Sequence, residues 1–320
     1  MPRIVIPDDA PPVMASSAAY RKLLDRTPVD YYDTLPGSED SLIERIAGAE
    51  IVINIRSSTR FGESVFQRTP NLQLLSLWGT GTDNVDLAAA ARHGVTVTNT
   101  PGVSAFSIAE HALALMLAVA RRIPHVDREV RQGGWPRGQA AQMHGKTLGV
   151  IGLGAVGRQF ARLGAGIGMR VIAWTMHPPD PALGFELVEL DELFRSSDVV
   201  SLHLRLSDET RGFLGKSELE KMKPSAILIN TARGPIVDQQ AMLEALTAGR
   251  ITGAGLDVFD VEPLPGGHAL THLENVVLTP HSAGVTPEAL EAGLQLSIDN
   301  VWNFLSAHPT NVVTGAGAAR

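Results

Sequence analysis

Short apolar runs alternate with amphipathic segments along the first third of the chain. The runs at 3–6, 50–55, 72–77 and 95–98 predict strands, and the segments at 16–25, 40–47 and 86–93 predict helices between them. A longer apolar helix is expected at 103–122, followed by the Gly/Pro-rich stretch QGGWPRGQA, which indicates a crossing from one domain to the next. Alternation of strand and helix is typical of a parallel sheet covered on both faces.

A second series of the same kind begins at Lys146. Strands are predicted at 148–151, 171–174, 198–203, 226–230, 253–257 and 276–278, with helices at 157–166, 191–196 and 238–247. A final helix at 287–305 is expected to return to the first series. The sequence therefore predicts an α/β chain of two doubly wound parallel-sheet (Rossmann/flavodoxin-like) domains with an interdomain cleft, formed by residues 1–100 with 286–320 and by residues 101–285.

The turn GVIGLGAVG joins the first strand of the second series to its first helix. Gly152 permits a tight turn, Gly154 lets the backbone approach a pyrophosphate, and Gly157 lets the helix pack closely on the strand. The N-terminus of the helix then faces the anion. A glycine motif alone also occurs in purely structural turns, but the strand before it and the helix after it favour a dinucleotide site in residues 101–285.

The next strand ends at Thr175, where a dinucleotide fold usually has an acid that binds the adenosine ribose of NAD. A threonine hydroxyl can bond to a ribose hydroxyl and does not repel a 2′-phosphate. The nearest basic residues are Arg158 and His177. The cofactor is therefore NAD or NADP, and the preference stays open.

Composition narrows the class of protein. The 320 residues are 44% hydrophobic and 19% charged, as in a globular protein, and the net charge of -7 argues against nucleic acid or an anionic membrane as a partner. The continuous apolar run at 112–120 is too short to cross a bilayer. No cysteine is present, which excludes disulfides and thiolate chemistry and predicts a reducing, cytoplasmic location. No spacing indicates a metal site.

Three stretches at the ends of predicted strands carry side chains suited to catalysis: NTARG (230–234), LDVFDVEP (256–263) and TPHSAG (279–284). Arg233 supplies a cation, Glu262 a carboxylate and His281 an imidazole. Each residue taken alone has an ordinary structural interpretation. Together they are what reduction of a 2-keto acid requires, because hydride delivered to the carbonyl carbon must be matched by a proton on its oxygen.

Long motifs in the same order show that the sequence resembles the D-isomer-specific 2-hydroxyacid dehydrogenase family. They are SLWGTGTDNVDLAAAARHGVTVTNTPG, SIAEHALALMLAVARR, GKTLGVIGLGAVGR, INTARGPIVD, GLDVFDVEPLP and LTPHSAG. The resemblance implies an NAD(P)-dependent homodimer, with residues 1–100 and 286–320 binding the substrate and residues 101–285 binding the dinucleotide. It also implies that His281 is the general acid/base, that Glu262 is its hydrogen-bonded partner, and that Arg233 binds the substrate.

The resemblance assigns further binding roles, residue by residue. Backbone amides at Thr80 and Gly81 would hold the substrate carboxylate, and Asp257 would meet the nicotinamide carboxamide. Ala155 and Val156 would approach the pyrophosphate. The nicotinamide end would be lined by Thr231, Ala232 and Gly284.

Two departures from the family pattern matter. Thr175 replaces the usual acid, and Arg205 stands in HLRL where proline is common, either as a neutral loop variant or as a phosphate contact. Glu262 argues against a formate dehydrogenase, which has glutamine at that place.

Substrate predictions begin with glyoxylate or hydroxypyruvate, followed by larger D-2-hydroxy acids and 3-phosphoglycerate. An alternative of another class is an NAD-sensing binding protein like the transcriptional corepressors that resemble this family. Among the other histidines, His111 has the best prospect of a role near the site, because its helix lies near the cleft in the family.

Overall fold

A computed structural model describes residues 2–176 and 184–314. The described residues divide into two compact units, one from Met1–Ser104 with Thr286–Arg320 and one from Ala105–Val285. His177, a basic candidate near Thr175 in the sequence, lies outside the described residues.

The first unit is built on a five-stranded parallel sheet with the strand order β2-β1-β3-β4-β5. Its elements are β1 (Ile4–Ile6), α1 (Ala18–Leu24), β2 (Val29–Tyr31), α2 (Glu39–Ile46), β3 (Ile51–Asn54), α3 (Glu63–Arg68), β4 (Leu74–Leu77), α4 (Leu87–Arg92) and β5 (Thr96–Thr98). The side chains of Ser17, Ser38 and Asp86 each accept a hydrogen bond from a backbone N–H in the first turn of the following helix. These caps fix where α1, α2 and α4 begin.

The second unit is built on a seven-stranded parallel sheet with the order β12-β11-β10-β9-β6-β7-β8. Its elements are α5 (Ala105–Ala120), α6 (Ile123–Arg131), β6 (Thr147–Ile151), α7 (Ala155–Gly166), β7 (Arg170–Trp174), β8 (Glu186–Leu187), α8 (Leu190–Ser196), β9 (Val199–Leu202), α9 (Lys216–Lys221), β10 (Ile227–Asn230), α10 (Gln239–Thr247), β11 (Gly253–Leu256) and β12 (Val276–Leu278). Strands β6, β9 and β10 are apolar and almost wholly buried, as expected for a sheet covered on both faces. The predicted α/β class with two parallel sheets is confirmed.

The last helix, α11 (Pro287–Leu305), belongs to the first unit and packs on α1, β3 and β4. Leu294, Ile298 and Val301 are buried in the same apolar cluster as strand residues of the first sheet. The Ser76 hydroxyl donates to the Ser297 carbonyl, with 3.0 Å between the oxygens. The sheet of the first unit is thus completed by a helix more than two hundred residues away in sequence.

The six strands β12, β11, β10, β9, β6 and β7 end level with one another. The register pairs Ile151 with both Trp174 and Leu202, and Asn230 with Leu202 and Leu256. Leu256 is paired with Leu278. Since parallel strands present their carboxyl ends at one edge, the residues that follow these positions lie along a single row.

Several element predictions were incomplete. The predicted helix 103–122 ends at Ala120, because Arg122 adopts a left-handed backbone with a φ of 54° and a separate helix, α6, follows. Among the strands and α-helices of the described residues, five were not predicted: β2, α3, α6, β8 and α9. None of the helices in residues 2–176 and 184–314 combines the length and apolar character needed to cross a membrane.

Candidate active site

The glycine turn has the backbone geometry that its sequence predicts. Gly152 has a φ of +97°, a region that favours glycine, and a Cβ there would lie 2.6 Å from the His203 carbonyl oxygen. A Cβ on Gly157 would lie 1.9 Å from the Gly152 carbonyl oxygen. Only glycines at these two positions let β6 pass into α7 at such close range.

Gly154 differs from the other two glycines of the turn. It is the N-cap of α7, has no side-chain cap, and a Cβ added to it would meet no atom within 4 Å in the described structure. By contrast, α10 and α11 begin with Asp238 and Thr286, whose side chains accept first-turn hydrogen bonds. The first turn of α7 therefore keeps backbone N–H groups and open space for an anion, as the pyrophosphate of a dinucleotide requires.

Arg233 is held in a braced loop after β10. The Asn230 side chain, which is buried, accepts from the Ala232 N–H at 3.0 Å and donates to the Arg233 carbonyl at 2.9 Å. A Cβ on Gly234 would lie 2.0 Å from the Phe259 carbonyl carbon, so this loop is pressed against the loop that follows β11. The Thr231 hydroxyl is buried beside them and has no hydrogen-bond partner in the described part of the chain. An unpaired buried hydroxyl fits a site that a polar ligand completes.

His281 and Glu262 form a hydrogen-bonded pair, with His281 Nδ1 2.7 Å from Glu262 Oε2. The other carboxylate oxygen, Oε1, accepts from the Phe259 N–H at 2.9 Å. The side chains of His281 and Glu262 are 36% and 35% exposed, so the imidazole is accessible to a substrate. Because Nδ1 faces a carboxylate, Nε2 is the nitrogen from which a proton can pass to a ligand.

The electrostatics of the pair keep Glu262 ionised. Burial acts to raise the pKa of the Glu262 carboxyl, but the hydrogen bonds from His281 and the Phe259 N–H and the charges of His281 and Arg233 together lower the pKa below its ordinary value. Glu262 is therefore an ionised hydrogen-bond acceptor for the His281 imidazole.

Asp257, directly after β11, is buried and its carboxylate is fully oriented. Oδ1 accepts from the Thr279 hydroxyl at 2.6 Å and from the Ser282 N–H at 2.9 Å, and Oδ2 accepts from the Ala283 N–H at 2.9 Å. The Asp257 carbonyl also accepts from the His281 N–H at 2.8 Å, where His281 has a left-handed φ of 51°. Asp257 thus fixes the 281–283 turn that presents the imidazole.

The remaining predicted residues fall in three places. Ala155 and Val156 form the first turn of α7, and Gly284 follows the 281–283 turn. Thr175 follows β7 in the row of strand ends, and Arg205 is an exposed residue in the loop after β9. Thr80 and Gly81 belong to the first unit, in the loop after β4. The Thr80 carbonyl there accepts from the Asn99 side chain at 2.8 Å.

Sequence reasoning missed the part that Thr279, Ser282 and Ala283 play in holding Asp257, although TPHSAG was singled out. It also left His111 without a specific contact. In the structure His111 Nε2 lies 2.9 Å from the Thr279 hydroxyl oxygen. No sequence signal connects a helix residue with a strand end 168 positions away.

Comparisons with known proteins agree with this geometry. The family description "D-isomer specific 2-hydroxyacid dehydrogenase, NAD binding domain" matches residues 113–283. A glyoxylate reductase of Korarchaeum cryptofilum is 38% identical over 291 residues, which span 88% of this chain and 87% of the relative. A D-3-phosphoglycerate dehydrogenase of Archaeoglobus fulgidus is 42% identical over 275 residues, spanning 82% of this chain and 51% of the relative.

A solved structure of an acyclic imino acid reductase in complex with NADPH and D-Arg is 30% identical, with a TM-score of 0.88, and the match covers 97% of this chain and 99% of that one. The family match spans more than half of the chain, and the relatives match both units. The predicted resemblance is confirmed. The chain belongs to the D-isomer-specific 2-hydroxyacid dehydrogenase family and is an NAD(P)-dependent oxidoreductase.

Proposed function

We propose that this enzyme interconverts a small 2-keto acid and the corresponding D-2-hydroxy acid, with glyoxylate or hydroxypyruvate as the first substrates to test. The observation that carries the proposal is the His281–Glu262 pair, with 2.7 Å between Nδ1 and Oε2. Glu262 lies on the loop after β11, which packs against the loop of Arg233. A glyoxylate reductase is among the relatives that match this chain over most of its length.

In the proposed reaction the bound nicotinamide supplies the hydride that reaches the carbonyl carbon. The Arg233 guanidinium binds the substrate carboxylate and polarises the carbonyl, because its planar fork remains charged and matches a carboxylate. His281 gives its Nε2 proton to the carbonyl oxygen and keeps its Nδ1 proton, which it donates to Glu262 as a hydrogen bond. In the direction of oxidation, Nε2 takes the hydroxyl proton.

The proposed cofactor residues come after the ends of the strands in this row. Gly152, Gly154, Ala155, Val156 and Gly157 would hold the pyrophosphate. Thr175 would lie at the ribose, and Asp257 at the carboxamide together with Thr231, Ala232 and Gly284. Backbone amides at Thr80 and Gly81 would bind the substrate carboxylate. Two observations support the cofactor part of this proposal: the Thr231 hydroxyl has no hydrogen-bond partner among the described residues, and α7 begins at Gly154 without a side-chain cap.

A panel of 2-keto acids with NADH and NADPH, followed at 340 nm, tests the function directly. His281→Gln should lower kcat by about 10²- to 10⁴-fold, the usual contribution of general acid–base catalysis, with cofactor affinity within about twofold of wild type. Normal turnover in this variant would contradict the assignment of His281. Absence of turnover on every substrate by the wild type would favour a cofactor-sensing binding protein.

A second candidate substrate is 3-phosphoglycerate, favoured by the 42% identity with a D-3-phosphoglycerate dehydrogenase. The same panel, extended to 3-phosphohydroxypyruvate, decides between the two. A kcat/KM for the phosphorylated substrate above that for glyoxylate and hydroxypyruvate would replace our first choice.

We further propose a homodimer formed through helices α5 and α6 and the stretch that follows α6. Four large apolar side chains in or after α5 and α6 are exposed to solvent: Phe106 (66%), Ile123 (55%), Val130 (43%) and Trp135 (73%). Large apolar side chains exposed in this way often mark an interaction surface. Light scattering should give twice the 34.1 kDa chain mass; a single-chain mass would refute the dimer. We also propose a cytoplasmic location, which cell fractionation tests.

A further inference from the structure

A chain of three side chains leads from α5 to the carboxylate of Asp257. His111 Nε2 lies 2.9 Å from Thr279 Oγ1, and Thr279 Oγ1 lies 2.6 Å from Asp257 Oδ1. The direct separation between His111 Nε2 and Asp257 Oδ1 is 3.6 Å, too long for a good hydrogen bond. His111 therefore reaches Asp257 through Thr279.

Counting hydrogens fixes the direction of both contacts. A threonine hydroxyl has one proton, and an ionised carboxylate can only accept. At 2.6 Å the Thr279 proton lies between Oγ1 and Asp257 Oδ1. Thr279 must then accept from His111, so the His111 proton is on Nε2. The imidazole therefore donates to the hydroxyl, and the hydroxyl donates to the carboxylate.

The acceptor positions of Asp257 show what this alignment controls. A carboxylate has about four lone-pair positions. The Thr279 hydroxyl and the Ser282 N–H use two on Oδ1, and the Ala283 N–H uses one on Oδ2. Among the described residues, this leaves one position on Oδ2 for a ligand N–H. The rotation of the carboxyl plane, and thus the direction of that position, is set by the Thr279 hydroxyl together with the two backbone amides.

We propose that His111 is a positioning residue for cofactor recognition: by donating to Thr279, it orients the Asp257 carboxylate toward an amide N–H of the nicotinamide. This inference rests on the proposed cofactor site. His111 is a separate group from the His281–Glu262 pair and takes no part in proton transfer to the substrate. Its side chain is 25% exposed, compared with 1% for Asp257.

The test uses two dinucleotides that differ only in the group that Asp257 would read. Nicotinamide carries a carboxamide, whose N–H groups can donate to a carboxylate. The 3-acetylpyridine analogue carries a methyl ketone at the same position and has no such donor. Affinities of the full-length protein for the reduced form of each, measured by isothermal titration calorimetry, therefore separate a role in orienting Asp257 from a general structural role. The NADP forms replace the NAD forms if the protein prefers them.

His111→Leu should weaken binding of the nicotinamide dinucleotide by about 3- to 10-fold, the usual effect of one lost hydrogen bond. Affinity for the acetylpyridine analogue should change by less than about twofold, since that ligand makes no bond to Asp257. His111→Gln is the matched control, because its amide N–H can donate to Thr279, and it should bind both ligands like the wild type. In a Thr279→Val background, His111→Leu should have no further effect, because the two side chains act through one contact.

Equal losses for the two dinucleotides in His111→Leu would show a structural role and overturn the inference, as would no loss for either. Those outcomes leave the proposed function intact when the wild type prefers the carboxamide ligand. A wild type that binds neither NADH nor NADPH would instead overturn the proposed function. A wild type that binds the two ligands equally would remove the Asp257 contact and this inference with it.

Discussion

At the scale of single residues, charge on Glu262 is the feature with the clearest pH consequence. Its pKa lies below the ordinary value of about 4.3, even though burial opposes this, because hydrogen bonds from His281 and the Phe259 N–H stabilise the carboxylate. A lowered pKa means that the pair contributes its full stability above that ordinary value. The contribution is lost as the pH falls through the pKa of the folded state.

Glu262→Gln should remove the charge while keeping the shape of the side chain. The imidazole then loses an ionised hydrogen-bond acceptor at Nδ1, so kcat/KM for reduction should fall by about 10- to 100-fold. Asp260→Asn is the control, because it removes a charge two residues away that makes no hydrogen bond to His281 among the described residues. An unchanged kcat/KM in Glu262→Gln, or an equal loss in Asp260→Asn, would show that the Glu262 carboxylate does not assist His281.

At the scale of elements, two glycines where β6 passes into α7 are expected to have different roles, Gly157 in packing and Gly154 in binding. Gly157→Ala places a methyl group 1.9 Å from the Gly152 carbonyl oxygen, so the free energy of unfolding should fall by about 1–3 kcal/mol. Gly154→Ala meets no atom within 4 Å and keeps an extended backbone, so stability should change little. Its methyl group would instead enter the space proposed for the pyrophosphate.

Urea unfolding and calorimetric titration with NADH and NADPH measure these two effects on the same proteins. We expect Gly154→Ala to bind the cofactor at least about tenfold more weakly while unfolding near the wild-type midpoint. Wild-type affinity in Gly154→Ala would mean that the start of α7 does not approach the pyrophosphate.

Elements with long apolar runs were predictable from sequence, and short polar ones were not. The apolar runs ILIN and VVL indicate strands β10 and β12. Helix α11 is long enough for its helical pattern to be recognised in the sequence. Strand β2 is the three-residue VDY, which is only partly buried and shows no apolar run. Helix α6 has Ile123, Val126 and Val130 at helical spacing, but none of its described residues is buried. Helix α5 stops early because Arg122 takes a left-handed conformation, which the sequence ALAVARRI does not signal.

For the candidate site, the sequence could indicate side chains of suitable chemistry at strand ends, namely Arg233, Glu262 and His281, and their roles stay predictions. Its supports were not predictable, because they are made by backbone groups or by residues distant in sequence. The Ser282 and Ala283 amides that hold Asp257 exist as donors in any sequence. Their direction is set by the turn after β12, and the contact between His111 and Thr279 is set by the packing of α5.

At the scale of the whole molecule, the two units have separate apolar cores. Two clusters of described residues fill the first unit, one of which includes residues of α11, and two others fill the second unit. Residues 105–285 are continuous in sequence and contain a full sheet, whereas residues 1–104 lack the helix that covers β3 and β4.

Expressed alone, residues 105–285 should therefore unfold cooperatively in urea, and residues 1–104 should not. Joining residues 286–320 to residues 1–104 through a flexible linker is the matched control and should restore a cooperative transition. Circular dichroism during urea titration measures each protein. A cooperative transition in residues 1–104 alone would show that α11 is dispensable for the first sheet.

The return of α11 also has a consequence for the protein during its synthesis. The ribosome completes the second unit before it makes Ser297, the partner of Ser76, or the apolar face of α11. During synthesis the second unit can therefore fold first. Until α11 has been made, β3 and β4 of the first unit stay uncovered. The nascent N-terminal segment, made first and finished last, is the part of this enzyme with the longest exposure to chaperones and to aggregation.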